Sequence, residues 1–150
     1  MKKSFLLSLM LFVNMAQAHV GHEHTSFIDG LAHPLGFDHL LAMLAVGLWS
    51  ARTFKGLARF YAPVLFVTTL VLGAILAHVS GIEFASAETL IAASVLVFGA
   101  LLIFTQIPST LGFALIAAAG LVHGWAHGLE ATAGGVFAVY VAGFVLSTAA

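Results

Sequence analysis

From Phe60 to Val79 the chain runs for twenty residues without an Asp, Glu, Lys or Arg, and forty-one more such residues separate Glu88 from Glu130. Residues 131–150 carry none either. A helix rises ~1.5 Å per residue, so ~20 apolar residues cross the ~30 Å hydrocarbon core of a bilayer. Only 7% of the 150 residues are charged, against roughly a quarter in a soluble domain, so this chain cannot cover a water-facing surface. Soluble globular, disordered and nucleic-acid-binding classes are thereby excluded. The expected fold is all-α: a polytopic helical membrane protein with spans at about 34–51, 60–79, 88–105, 110–129 and 134–150. Pro34 and Pro63 suit the first turns of the first two, where proline loses no needed N–H.

Lys2 and Lys3, the apolar run Phe5 to Val13 and the ending Ala16-Gln17-Ala18 have the order of a secretory signal peptide. The run is too short for a span, so residues 1–18 are expected to be removed and residues 19–150 to form the membrane domain. The A-x-A ending and the lack of an organelle transit pattern point to a bacterial inner membrane. The basic residues that remain, Arg52, Lys55 and Arg59, fall in one loop. The excess of basic charge in cytoplasmic loops places that loop inside and the mature N-terminus in the periplasm. Threading the spans alternately then sets all eight histidines, with Glu23, Asp29, Asp38, Glu83, Glu88 and Glu130, on or near the outer side. One membrane face collects groups that bind divalent cations, and the other has none.

His123-Gly124-Trp125-Ala126-His127-Gly128-Leu129-Glu130 is the sharpest constellation. At ~100° per residue, positions i, i+4 and i+7 fall within about 60° of one another. His123, His127 and Glu130 therefore form one stripe near the outer end of the fourth span. Two imidazoles four residues apart can share a metal ion, and a carboxylate one turn on can complete the site. Ionisable groups inside a span are costly and usually functional. Gly120, Gly124 and Gly128 run beside the stripe and suit close helix packing, which would bring the histidines near other helices.

The second constellation opens the first span: His33-Pro34-Leu35-Gly36-Phe37-Asp38-His39. A carboxylate in an otherwise apolar helix needs a partner, and Asp38 can ligate a cation, orient an imidazole or favour the helix dipole. Met43, one turn beyond His39, suits core packing better than a soft ligand. Further metal candidates are His78 near the outer end of the second span, Glu88 at the start of the third, and the tract His19, His22 and His24. Glu88 equally suits a helix N-terminus, and Glu83 a solvated loop. Cysteine is absent, which excludes disulfides, thiolate sites and Fe–S clusters. The H-E-x-x-H and G-x4-G-K-[ST] patterns are absent too, so neither a zinc intramembrane protease nor an ATPase is expected.

The His-Pro and Gly-x-Asp-His residues, with H-G-W-A-H-G-L-E in the fourth span, resemble the HupE/UreJ family of nickel/cobalt permeases. The resemblance covers essentially the whole mature chain. It implies uptake of Ni²⁺ or Co²⁺ from the periplasm in support of hydrogenase or urease maturation. His33, Asp38 and His39 match one family motif, and His123, His127 and Glu130 the other. Four residues separate His33 from Asp38, one fewer than the family pattern has. The family usually has six spans, so a chain ending within a fifth is expected to lack a last helix. The residues alone fit Ni²⁺, Co²⁺ or Zn²⁺; the preference for nickel comes from the resemblance. No enzymatic activity and no permanently bound cofactor are expected. The partners are a divalent ion and the lipid bilayer, with no nucleic acid. Two other readings stand beside transport: a haem-binding electron carrier with axial histidines, and a metal-binding accessory protein that does not conduct.

Overall fold

Ser26 begins the described chain as a helix cap. Its hydroxyl accepts from the Asp29 N–H at 3.1 Å, and the Asp29 carboxylate accepts from the Ser26 N–H at 3.0 Å. This reciprocal pair satisfies two donors that a helix start leaves open, and it nucleates the short helix α1, Phe27–Ala32. The computed structural model describes residues 26–83, 86–130 and 136–149. The expected signal peptide and His19, His22 and His24 lie outside the described residues. Among those described, every regular element is helical and none is a strand.

After α1 come a 3-10 turn at His33–Leu35, helix α2 at Phe37–Thr53 and a second 3-10 turn at Gly56–Phe60. Helices α3 (Tyr61–Ser80), α4 (Ala87–Ile103), α5 (Ser109–Glu130) and α6 (Phe137–Ala149) follow. The fold is all-α and polytopic. Gly56–Ser80 and Ser109–Leu129 are long and apolar enough to cross a membrane, while Thr89–Ile103 and Phe137–Ala149 are shorter apolar helices. Leu44, Leu48, Val64, Leu72, Val79 and Leu96 are exposed on the outside, a surface that lipid rather than water can cover.

The first span departs from expectation. In place of one continuous helix stand two, Phe27–Leu35 and Phe37–Thr53, meeting at 70° as a broken span or a re-entrant loop does. Gly36 makes the break, its φ of −55° and ψ of 142° being extended rather than helical. Pro34 accordingly lies in the 3-10 turn before the break, not in the first turn of a continuous helix. Its missing N–H costs nothing there, because that turn has already left the α-helical ladder.

Glycine contacts set how the helices sit together. A Cβ on Gly120 would meet Thr69 and the Phe66 carbonyl; on Gly124, the Leu70 carbonyl; on Gly128, the Ala74 carbonyl. The pairs climb together in residue number, so α5 lies parallel to α3 with backbones in contact, as small-residue ridges permit. The glycine ridge read in the sequence is thus a packing seam. Gly30 and Gly143 let α1 and α6 approach in the same way, since a Cβ on either would meet the other's backbone.

The core is apolar, with Ala42, Val46, Phe66, Leu70, Phe98 and Ile116 all buried. Met43 packs against it, as expected. Toward the basic loop, Trp49 makes edge-to-face contacts with Phe54 and Phe113, at 5.8 and 5.7 Å between ring centroids. The Ser50 hydroxyl donates to the Arg59 carbonyl at 2.7 Å and clamps the 3-10 turn Gly56–Phe60, which carries Arg59, onto the end of α2, where Arg52 lies in the last turn.

Candidate metal centre

Six polar side chains are buried among the described residues: His33, His39, His123, His127, Ser50 and Ser94. The two serines donate to backbone carbonyls, of Arg59 and Ile91. The four histidines gather instead into one cluster. His33 meets His127 edge to face at 4.2 Å between ring centroids. His39 lies 5.4 Å from His123 and 5.5 Å from His127. The histidines of both sequence constellations are therefore brought together, and the bend at Gly36 is what allows it, because it sets His33 and His39 on either side of a turn facing α5.

The depth of the cluster was not anticipated. Gly124, between His123 and His127 in sequence, rests on Leu70, the tenth residue of the twenty in α3. By that register His127 lies level with residue 73 and His123 with residue 69, about 10 and 16 Å below Ser80 at ~1.5 Å per residue. These two histidines thus lie level with the middle of α3, although they belong to the last turns of α5. The sequence reading took each helix as spanning the same thickness, but α5 starts lower than α3. A broken helix whose halves meet at mid-depth is a recurrent way to place ion-binding groups in transporters.

Hydrogen bonds orient two of the rings. His123 Nδ1 bonds the Ala119 carbonyl at 2.9 Å, and His39 Nε2 bonds the Thr148 hydroxyl at 3.3 Å. The other ring nitrogen of His39, Nδ1, is buried without a hydrogen-bond partner. Asp38 is half-buried beside the cluster and its carboxylate accepts from the His39 N–H at 2.8 Å, so it serves the first turn of α2. Among the described residues no three His, Asp or Glu side chains are set to hold a metal ion together. The rings pack edge to face.

The remaining candidates lie elsewhere. His78 is exposed and stacks on Phe137 at 4.0 Å between centroids, 11° from parallel. Glu130 ends α5 and Glu88 lies in its expected place at the start of α4; the side chains of both are outside the described residues. Sequence reasoning missed the contribution of α6. Phe144 packs against His33, His39 and His127, Tyr140 against His33, and Thr148 bonds His39. Their spacing of four residues was the available signal, a single stripe on a helix that otherwise reads as uniformly apolar.

A sharply bent pair of apolar helices and a buried histidine cluster define the class, an all-α polytopic membrane protein built around interior imidazoles. The family model described as HupE / UreJ protein matches residues 7–150, and the chain belongs to that family. It is 37% identical over 144 residues to Protein HupE of Rhizobium leguminosarum bv. viciae, covering 95% of this chain and 74% of that protein. No solved structure matches it.

Proposed function

We propose that this protein takes up Ni²⁺, or Co²⁺, across the bacterial inner membrane, with its mature N-terminus in the periplasm, to supply nickel enzymes such as hydrogenase or urease. The observation that carries the reading is the cluster of His33, His39, His123 and His127. Four buried imidazoles contributed by three elements face one another at mid-depth, where ionisable groups are costly unless they serve an ion pathway. His39 Nδ1 fits a metal ion as ligand, being buried and without a hydrogen-bond partner. Neutral imidazole nitrogen with nearby carboxylate suits first-row divalent ions, and membership of the HupE/UreJ family favours nickel or cobalt.

In this reading acidic residues on the outer side concentrate the hydrated ion, and the imidazoles replace some of its waters inside. Asp38 holds the first turn of α2 in place and adds negative charge beside the site. The chain performs no covalent chemistry and keeps no resident cofactor. Close ring contacts among the histidines disfavour the haem reading, since they leave no slot for a macrocycle between these rings.

The test is radioactive nickel flux into vesicles containing the purified protein, normalised to inserted protein. His127→Ala and Asp38→Asn should each insert normally and lower uptake at limiting nickel by about 10-fold or more. Wild-type flux in both would leave these residues a structural role. Tight nickel binding without flux in the parent protein would favour a non-conducting accessory protein.

A further inference from the structure

We infer that Thr148 is a positioning residue that fixes the proton of His39 on Nε2, so that His39 presents Nδ1 to the metal. The inference rests on the transport reading for its metal but not for its geometry. The Thr148 hydroxyl has one proton, and it goes to the Phe144 carbonyl at 2.8 Å, one turn back in α6. Toward His39 Nε2, at 3.3 Å, the hydroxyl oxygen therefore has only lone pairs to offer. Nε2 must donate. A neutral imidazole carries a single N–H, so its lone pair then falls on Nδ1. That atom is the one buried without a hydrogen-bond partner.

His123 reaches the opposite tautomer by the same logic. The Ala119 carbonyl can only accept, so His123 Nδ1 carries the proton and the lone pair lies on Nε2. Two neighbouring rings, 5.4 Å apart, thus carry their protons on different nitrogens, each selected by a different hydrogen-bond acceptor. Outer hydrogen bonds of this kind fix the tautomer and orientation of metal-binding histidines. The arrangement also gives α6 a task. It supplies no candidate ligand of its own, yet through Thr148 it determines which atom of α2 is available.

The experiment uses the full chain in bilayers with ¹⁵N-labelled histidine. The resonances of His39 are assigned by their loss in His39→Gln. Without metal, wild-type His39 should show a protonated Nε2 and a bare Nδ1. Thr148→Val keeps the shape of the side chain but removes the acceptor, and it should produce a mixture of tautomers. Thr148→Ser restores the hydroxyl and should restore the single tautomer. In nickel uptake, Thr148→Val should raise the half-saturating concentration about 10-fold or more, with Thr148→Ser close to wild type. A proton on Nδ1 in the wild type, or an unchanged tautomer in Thr148→Val, overturns the inference. Because the nitrogen shifts are read without metal, a wild-type protein that moves no nickel overturns the transport reading alone.

Discussion

Gly124→Ala tests the seam that sets the depth of the histidines. The added Cβ would stand 2.9 Å from Leu70 Cα and closer still to the Leu70 carbonyl. Ordinary contact there begins at 3.4 Å, and the obstacle is backbone, which cannot rotate away. Helices α3 and α5 must therefore separate or slide, which also shifts His123 and His127 against His39. Overpacking of this kind costs about 2 kcal/mol, or roughly a 30-fold fall in the ratio of folded to unfolded protein. Gly99→Ala is the control. It lies in α4, and a Cβ there meets nothing within 4 Å. Detergent-driven unfolding, followed by the fluorescence of Trp49 and Trp125, should show an earlier midpoint than wild type for Gly124→Ala and no such fall for Gly99→Ala. Equal midpoints for the two variants would refute the argument that backbone contact at Gly124 sets the helix register.

Three further outcomes are expected. Ser50→Ala removes the donor to the Arg59 carbonyl and should cost about 1 kcal/mol in the same unfolding assay; an unchanged midpoint would mean the clamp contributes nothing. Cysteines placed at Arg52, Lys55 or Arg59 should resist impermeant thiol reagents applied from the periplasm, and labelling there would invert the proposed topology. N-terminal sequencing of the mature protein should begin at His19, and retention of Met1 would remove the proposed signal peptide.

Helices α3, α4 and α5 were legible to within a residue or two, because uninterrupted hydropathy marks a span without help from tertiary contacts. The first span was not. Pro34 reads equally well as a helix start or as a turn, and the Ser26–Asp29 capping box sits just before it in a stretch too short to register as a span. The sequence offered His33 and His39 and the pair His123 and His127 as two separate constellations, and the structure places their rings in contact. Their depth was hidden, because it depends on the offset between α3 and α5. Glycine spacing announces close packing but does not say which residues of the neighbour it meets. Thr148 escaped notice for a different reason: a hydroxyl bonded to its own helix is common, and only the position of His39 gives it a second meaning.

The apolar layer between the histidines and the basic loop has an electrical consequence. Val46, Trp49, Phe66 and Ile116 fill the interior there, and the buried serines among the described residues are engaged with backbone carbonyls. An unpaired ion in such a medium faces a barrier of tens of kcal/mol, and a constriction of this kind also excludes water. At rest this half of the molecule is an insulator. In the proposed uptake an ion would cross it only while helices move apart, on the microsecond-to-millisecond scale of collective motion. Ion flux in that uptake would therefore be paced by the rearrangement and would saturate with ion concentration, and the potential across the membrane would not be short-circuited between turnovers.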